Sequence, residues 1–341
     1  MPDVHEGRTV PNGVVVATMN LVYPDLVGAD IGCGASALRF AGAAEDLSTA
    51  ELEAILATVH AAVPTLKHSA ARAEENASEV DALGELSCAS LANEARREGR
   101  YQLGTIGRGN HFLELARDEE GGVWGVVHTG SRAMGHAVIG HHLRAARAAV
   151  PGELPALDVR EQAGKDYFAD MQWACRYATA NRLAILNALA DALEQHGGMA
   201  AEEASYLDCL HNFARMEQHG GRMLLVHRKS ANAADVGQRG IVAGSMKSGS
   251  RIVVGLGHAG SLRSSSHGAG RLMSRTEASE KVSTAQLKGM MRGIVYHEQQ
   301  VARFRDEAPQ AYRDLRNVMR AQSELVRGER ALVPLLNDKR W

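Results

Sequence analysis

Short apolar strands interrupted by glycine-rich loops constrain the fold of this chain more than any other feature of its sequence. Residues 13–19 (GVVVATM) and 35–40 (ASALRF) predict two strands, with the loop VGADIGCG between them. A second loop, LGTIGRGN, runs into an alternating strand that carries His111 and Glu114, and a further apolar strand, VWGVV, ends at His128. Glycine permits turns that other residues resist, and functional side chains gather where strands give way to loops. The pattern predicts a mixed α/β (α+β) fold with central sheets flanked by helices and glycine-rich loops.

Helical periodicity predicts the helices that flank the sheets. Residues 46–64 predict a helix that begins at a capping box formed by Ser48 and Glu51. Residues 165–196 predict a long helix with a leucine packing face made of Leu183, Leu186, Leu189 and Leu193. A last helix is expected through residues 307–325, before an apolar strand, ALVPLL.

Composition limits the class of protein. A chain of 341 residues, 45% apolar and 23% charged, fits one large globular domain spanning residues 1–341. Aromatic residues make up only 4%, so no stacking platform for single-stranded nucleic acid is evident. Neither a signal peptide nor a membrane-spanning apolar stretch is recognisable. Four scattered cysteines without CxxC spacing favour a reducing, cytoplasmic location.

The net charge of −2 conceals a basic C-terminal third. From Arg222 onward the chain carries 21 Lys and Arg against 10 Asp and Glu. Such a segment suits a phosphate-rich partner. A solvated pattern in which the two parts of the chain neutralise each other explains the charge equally well.

One histidine stands among residues with almost no side chain, in the stretch SSSHGAGR at residues 264–271. Small neighbours allow a ligand's phosphates to approach closely, while hydroxyls and Arg271 can bind anionic oxygens. His267 presented in this way can be a nucleophile, an acid or base, or a ligand. The alternative is a glycine turn with a hydrogen-bonded histidine.

Five metal-type donors stand in loops or at strand ends: Asp30, Cys33, His111, His128 and His211. The Asp-x-x-Cys spacing lets a carboxylate and a thiolate converge, although a buried cysteine beside a turn aspartate is the simpler interpretation of that pair alone. Five mixed donors exceed one closed tetrahedral zinc site and suit two ions that share a thiolate. The donor chemistry does not choose between Mn²⁺, Zn²⁺ and Fe²⁺.

The chain resembles the RtcB family of RNA-splicing ligases. The matching motifs occur in family order: MPDVHEGR, VGADIGCG, LGTIGRGNHFLE, VVHTGSR, LHN, HRKSA, AGSM, SSSHGAGRLMSR and DEAPQAY. The resemblance implies GTP- and Mn²⁺-dependent joining of an RNA end with a 2′,3′-cyclic phosphate or 3′-phosphate to a 5′-hydroxyl end.

The resemblance also implies residue roles. His267 would be the nucleophile that receives GMP, and the five donors would hold two Mn²⁺ with Cys33 bridging. The nucleotide would be bound by Asn110, Glu114, His211, Asn212, Ala243, Gly244, Ser245, Met246, Ser250, Gly268, Ala269, Gly270 and Lys339. Basic positions suited to RNA or triphosphate oxygens are Arg132, Lys229, Arg271 and Arg275. The partners are then RNA and GTP, with no membrane.

The sequence departs from the family at several positions. It begins at the family's internal MPDVH motif, which suggests a short, repair-type member without the usual N-terminal region. Arg108 and Lys247 replace small residues, the ending NDKRW weakens the assignment of Lys339, and His227 is expected to be a packing or RNA-side residue. Two other functions remain open: a two-metal phosphoesterase acting on RNA 3′ or cyclic phosphate ends, and a catalytically silent RNA-binding protein.

Overall fold

A large antiparallel sheet flanked by helices organises the computed structural model, which describes residues 1–7, 9–149 and 154–340. The mixed helix-and-strand fold expected from the sequence is confirmed. The strands are β1 (Val14–Thr18), β2 (Leu21–Val22), β3 (Gly34–Ala43), β4 (Phe112–Arg117), β5 (Gly122–Thr129), β6 (Leu157–Asp158), β7 (Ala201–Leu210), β8 (Asn212–His219), β9 (Arg222–Lys229), β10 (Ala231–Ala233), β11 (Arg239–Ala243), β12 (Ser250–Gly255), β13 (Ser264–Ser266) and β14 (Val326–Lys339).

The helices lie mainly outside the large sheet. They are α1 (Thr49–Ala62), α2 (Ala70–Glu75), α3 (Ala77–Asp81), α4 (Ala89–Glu94), α5 (Arg100–Gln102), α6 (Arg132–Ala149), α7 (Gln162–Gly197), α8 (Arg275–Lys281), α9 (Thr284–Met290) and α10 (Leu315–Ala321). One π-helical turn spans Ala95–Gly99, and 3₁₀ segments cover Pro24–Leu26, Ala44–Asp46, Ala259–Ser261, Glu298–Glu307 and Pro309–Ala311. None of the helices in the described part of the chain is both long and apolar enough to cross a membrane.

The seven-stranded sheet has the order β11-β12-β14-β4-β5-β3-β7, and its pairings are antiparallel. Its register decides where the functional side chains meet. Gly34 of β3 pairs with both Thr129 of β5 and Leu210 of β7, while Phe112 of β4 pairs with His128. The four neighbouring strands β4, β5, β3 and β7 therefore place the residues next to these pairs together, at one end of the strands.

Helices α1 and α7 cover one face of this sheet and enclose the main core. The Ser48 hydroxyl oxygen accepts the Glu51 backbone N–H, and the Glu51 carboxylate accepts the Ser48 backbone N–H. This is the capping box that the sequence predicts. Ile55 and Val59 of α1 pack into the same buried cluster as Leu189 of α7. This packing fixes the two helices against the strands whose ends carry the site.

The packing face of α7 differs from the predicted one at Leu183. Leu186, Leu189 and Leu193 are buried, but Leu183 is 39% exposed. Leu183 lies six residues from Leu189, which is about 120° around a helix, so it falls on the flank of the buried face. Gly198, with φ of 63°, ends the helix in the left-handed conformation.

Three local predictions are wrong. His111 precedes β4 instead of lying on it, and β4 is buried on both faces instead of alternating. The predicted helix through residues 307–325 is replaced by 3₁₀ turns and the short α10, because Pro309 interrupts the helical hydrogen bonds and Asp314 caps a new start at the Arg316 amide. Helix α6 has no counterpart among the predicted elements.

Candidate functional site

The five predicted metal donors come together at one end of the strands β3, β4, β5 and β7. Cys33 lies directly before β3, His111 directly before β4, His128 near the end of β5 and His211 directly after β7. Asp30 lies three residues before Cys33, and Gly32 between them adopts a φ of 71°. A side chain at Gly32 would collide with the backbone of α7, so the turn that brings Asp30 to Cys33 requires glycine.

The donors form two groups that share one sulfur. Cys33, His128 and His211 offer ligand atoms within 4.8 Å of one another, and so do Asp30, Cys33 and His111. The Cys33 Sγ lies 3.4 Å from His128 Nε2 and 3.6 Å from His111 Nε2. His111 Nε2 lies 3.0 Å from an Asp30 carboxylate oxygen, and His128 Nε2 lies 3.3 Å from His211 Nε2. A single thiol can thus serve two ions.

Backbone carbonyls fix the orientation of two of these rings. The Nδ1 of His111 lies 3.1 Å from the Ile106 carbonyl oxygen, and the Nδ1 of His128 lies 3.1 Å from the Asn110 carbonyl oxygen. When Nδ1–H donates to a carbonyl, the lone pair of Nε2 points toward the shared sulfur. Such second contacts are a usual feature of histidines that bind metals.

Burial sets the charge of the donors. Burial, together with the neighbouring imidazoles, holds the pKa of His128 and the pKa of His211 well below the usual histidine value. Both rings are therefore neutral, which is the form that binds a metal. Burial and the adjacent Asp30 raise the pKa of the Cys33 thiol.

Arg182 stabilises the backbone beneath the donors. Its side chain is fully buried on α7 and donates to the carbonyl oxygens of Gly32 and Thr129 at 2.8 and 2.9 Å. Asp208 of β7 pairs with the same guanidinium at 2.7 Å. One buried ion pair thereby joins the loop of Cys33 to the ends of β5 and β7.

His267 is held by an aspartate that lies 264 residues earlier in the chain. The Asp3 Oδ2 lies 2.7 Å from His267 Nδ1 and accepts the backbone N–H groups of His267 and Gly268 at 3.1 and 3.3 Å. Burial opposes the charge of Asp3, but these contacts and the nearby imidazole keep the pKa of Asp3 below its ordinary value. An ionised acceptor at Nδ1 leaves Nε2 as the nitrogen with a lone pair.

The His267 ring adjoins the donor cluster. Its centroid lies 4.7 Å from that of His211 and 6.4 Å from that of His5. A cavity of about 320 Å³ opens at this point and includes His128 and His267 in its wall. Predicted binding residues in the same wall are Asn110, Glu114, Ala243, Gly244, Ser245, Met246, Gly268, Ala269, Gly270, Arg271, Arg275 and Lys339.

Glu114 is an unusual carboxyl group in the cavity wall. Its Oε1 accepts the Asn337 amide at 2.7 Å, while its Oε2 is buried without a hydrogen-bond partner in the described structure. Burial raises the pKa of Glu114 to about 8. An unpaired buried oxygen of this kind is costly unless a ligand supplies a donor.

The basic groups of the cavity are organised by buried acids. Lys339 Nζ lies 3.0 Å from Glu307 Oε2, Arg271 lies 3.3 Å from Glu307 Oε1, and Arg275 pairs with both Asp306 and Glu307. Although burial opposes the charge of Glu307, these cations lower the pKa of Glu307 to about 2. Three cations are therefore fixed in position around one anion.

Comparison with known proteins identifies the family. Residues 1–340 match the family profile described as "tRNA-splicing ligase RtcB". The chain belongs to the RtcB family. The RNA-splicing ligase RtcB of Escherichia coli K12 is 37% identical over 96% of this chain and 86% of its own length. The tRNA-splicing ligases RtcB of Archaeoglobus fulgidus and Thermococcus kodakarensis are 31% and 29% identical, over 92% and 95% of this chain and 81% and 83% of their own lengths.

Several residues predicted from the RtcB resemblance lie outside the cavity wall. They are His211, Asn212, Ser250, Arg132 and Lys229. The Asn212 side chain bonds the Asp30 carbonyl and the Ser230 amide, Ser250 is fully buried, and Arg132 lies 3.4 Å from His111 Nδ1. Lys229 lines a separate groove beside Asp30 and Asn212. Their binding roles stay predictions.

His227 is a packing residue in this RtcB chain. It is buried on β9, its Nδ1 lies 3.2 Å from the Val16 carbonyl oxygen, and its Nε2 accepts the Tyr23 amide at 3.1 Å. Burial lowers the pKa of His227 to about 4, so the ring is neutral. Both ring nitrogens are occupied by the backbone.

Sequence reasoning missed Asp3, Glu307 and Asn337. Asp3 and Glu307 stand inside the motifs MPDVHEGR and DEAPQAY, so the motifs themselves were the available signal. Their contacts could not be read from spacing, because Asp3 is 264 residues from His267 and Asn337 is 223 residues from Glu114.

Proposed function

We propose that this chain is a GTP- and Mn²⁺-dependent RNA ligase that joins a 3′-phosphate or 2′,3′-cyclic-phosphate end to a 5′-hydroxyl end. One observation carries the proposal: the nucleophile-like His267, the donors around Cys33 and a polar cavity form one continuous site. The names of the RtcB relatives supply RNA end joining as the reaction class.

The donor set fits two divalent ions. Asp30, Cys33 and His111 would hold one ion, and Cys33, His128 and His211 would hold the other. Carboxylate, imidazole and thiolate donors are compatible with Mn²⁺, and the family resemblance favours that metal. When bound, such ions offset negative charge on phosphoryl oxygens.

His267 supplies the first covalent step. Its Nε2 attacks the α-phosphorus of GTP, so an N–P bond forms while the bond to pyrophosphate breaks. Asp3 holds the proton on Nδ1 and stabilises the positive ring that develops during the attack. The product is a guanylate attached to His267, with pyrophosphate released.

The guanylate then activates the RNA. An oxygen of the RNA 3′-phosphate attacks the guanylate phosphorus, the N–P bond breaks, and His267 is regenerated. The 5′-hydroxyl of the second RNA end attacks the activated 3′-phosphorus, a phosphodiester forms and GMP leaves. An end that arrives as a cyclic phosphate is first hydrolysed to the 3′-phosphate.

Glu114 provides the basis for choosing guanine. Without a bound base, burial keeps Glu114 largely protonated at neutral pH, with a pKa of about 8. The N1–H and N2–H groups of guanine can donate to its ionised form and so stabilise it, whereas the corresponding edge of adenine presents an acceptor at N1. The unpaired Oε2 of Glu114 lines the cavity, and Asn337 fixes the other oxygen. A guanine base therefore satisfies a buried atom that is otherwise unpaired.

Basic side chains on two sides of the site suit phosphate. Arg271, Arg275 and Lys339 lie in the cavity wall, where a triphosphate would extend from His267. Lys229 lines the neighbouring groove beside Asp30, where an RNA backbone can reach the donor cluster. Binding through phosphates predicts affinity that falls with salt and has weak sequence preference.

The four free cysteines suit the reducing cytoplasm.

Intact-mass spectrometry after incubation with GTP and Mn²⁺ tests the proposal. The wild type should gain the mass of one guanylate, and His267→Ala should gain none. His258→Ala is the control, because His258 is exposed and lies in a turn outside the cavity. An adduct on His267→Ala would place the nucleophile elsewhere.

Product analysis on RNA with a 2′,3′-cyclic phosphate separates the other two functions. Hydrolysis of the end by both the wild type and His267→Ala, with no joined product from either, would indicate a phosphoesterase. Binding without any change in the RNA would indicate a silent RNA-binding protein.

A further inference from the structure

A second cluster of metal-type donors lies on the other side of the C-terminal strand. His60 belongs to the last turn of α1, His297 precedes the 3₁₀ segment Glu298–Glu307, and Asp338 lies on β14. Their ligand atoms all lie within 4.8 Å of one another. The cluster shares no residue with the donors around Cys33.

Two imidazole nitrogens in this cluster are buried and unpaired. His60 Nδ1 and His297 Nε2 make no hydrogen bond within the described structure, although their side chains are partly exposed elsewhere. They lie 3.6 and 3.5 Å from the same Asp338 carboxylate oxygen, which is too long for a hydrogen bond. The two rings meet edge to face with centroids 4.0 Å apart.

These separations match the edges of a coordination polyhedron. Ligand atoms bound tetrahedrally to zinc at about 2.0–2.2 Å stand about 3.3–3.6 Å apart. A proton shared between the groups would require shorter separations, whereas an ion bound to all three atoms is compatible with the measured separations of 3.6 and 3.5 Å. We propose that His60, His297 and Asp338 bind a Zn²⁺ ion, with water completing the coordination.

The surroundings support the carboxylate as a ligand. Arg340 donates its Nε to the Asp338 oxygen that faces the histidines at 2.8 Å, and its Nη2 bonds the other oxygen. A carboxylate oxygen has a second lone pair, so the arginine orients the ligand without occupying the direction of the ion. Two imidazoles and one carboxylate form the donor set of many zinc sites and are poorly suited to Mg²⁺ or Ca²⁺.

Backbone hydrogen bonds position the segment before His297 beside β14. The Val295 amide donates to the Leu335 carbonyl and the Asn337 amide donates to the Val295 carbonyl, both at 2.8 Å. These bonds fix the segment before His297 against β14. The ion would therefore join α1, the 3₁₀ segment and β14 at the strand end that also carries Asn337 and Lys339 into the cavity.

Zinc content measured on the full chain tests the site directly. Chelator-treated protein is equilibrated with Zn²⁺ at a fixed free concentration, separated from unbound metal and analysed by mass spectrometry of the element. The wild type should retain one more Zn²⁺ per chain than His60→Gln and His297→Gln. Since the donors around Cys33 are intact in every protein, their contribution cancels in the difference.

His196→Gln is the matched control. His196 is a partly buried histidine near α1 that bonds Thr58 Oγ1 at 2.8 Å and has no second metal donor in the described clusters. It should retain as much zinc as the wild type. Circular dichroism of each metal-free variant establishes that it is folded.

A measurement on the wild type alone covers the case in which the variants fail to fold. Crystals grown with Zn²⁺ should show an anomalous peak between His60, His297 and Asp338 at the zinc edge. Equal zinc content in the wild type and both folded variants, or peaks confined to the donors around Cys33, would overturn the proposal.

Discussion

The Asp3 carboxylate lies 2.7 Å from Nδ1 of His267 and also accepts two backbone N–H groups of the same loop. Such an acceptor fixes both the tautomer and the orientation of the ring. Asp3→Asn should lower the rate of guanylate transfer to His267 by about 10²- to 10⁴-fold, because an amide at Nδ1 favours the tautomer whose Nε2 carries the proton. Single-turnover formation of the adduct measures the effect, and thermal unfolding checks the fold. A rate within threefold of the wild type would contradict the orienting role.

Cys33 belongs to both donor groups, whereas His111 belongs to one. Cys33→Ala should therefore weaken the binding of both ions, while His111→Gln should weaken the binding of one. Equilibrium dialysis with Mn²⁺, read by paramagnetic resonance, distinguishes the two patterns. The prediction fails if Cys33→Ala retains the manganese content of the wild type.

Glu114 is buried with a pKa raised to about 8. Because this folded-state pKa exceeds the unfolded value, the carboxyl group lowers the free energy of unfolding progressively as pH rises from about 4.5 to about 8. Glu114→Gln should increase the free energy of unfolding at pH 8 by on the order of 2–4 kcal/mol.

The same variant should reduce the preference for GTP over ATP in adduct formation by at least about tenfold, since the amide replaces one acceptor with a donor. Denaturant unfolding at pH 5 and pH 8 and competition between the two nucleotides provide the measurements. Unchanged nucleotide preference would remove Glu114 from base recognition.

Glu307 has a folded-state pKa lowered to about 2 while it binds three cations. Its stabilising effect is fully present above the unfolded value of about 4.5 and is lost as pH falls toward 2. Glu307→Gln should lower the free energy of unfolding at pH 7 by about 3–5 kcal/mol, and the gap to the wild type should narrow between pH 5 and pH 3. Glu298→Gln is the control, because its pair with Lys288 is exposed. A gap independent of pH would show that the carboxylate charge is not the stabilising factor.

Two leucines of α7 give a matched test of the core. Leu189 is fully buried between α7 and the sheet, where Gly125 allows its close approach, whereas Leu183 is 39% exposed. Leu189→Ala should lower the free energy of unfolding by about 2–5 kcal/mol, and Leu183→Ala by less than about 1 kcal/mol. Urea unfolding of both variants measures the difference. Equal losses would mean that both side chains belong to the core.

Features encoded within a few residues were predictable from the sequence. The capping box of Ser48 and Glu51 depends on neighbours in the chain, so it formed where expected. The helix expected through residues 307–325 did not form as one element, because Pro309 interrupts its hydrogen bonds and Asp314 caps a new start. The contacts of Glu307 with Lys339, Arg271 and Arg275 join distant parts of the chain, so local periodicity did not reveal them.

The proximity of the five donors was predictable from the sequence, but the residues that orient their side chains were not. The donors carry metal-binding side chains in loops or at strand ends, and the RtcB motifs indicated that Cys33 and His128 act together, whereas residue type alone left Cys33 as a buried cysteine beside a turn aspartate. The residues that orient them were hidden, because a carboxylate such as Asp3 or an amide such as Asn337 is common and its partner is distant in sequence. Sheet order also depends on distant pairing, as in Lys339 of β14 beside Phe112 of β4.

The site combines Asp3, which bonds His267, with Lys339, which lies in the cavity wall and is far from Asp3 along the chain. During synthesis, the helices and the early strands can fold while the remainder is still being translated. The pocket cannot close until the ribosome has released β14, which must insert between β12 and β4. A product truncated before β14 would therefore lack the strand that carries Asn337 and Lys339 into the wall, and it could not complete the proposed nucleotide pocket.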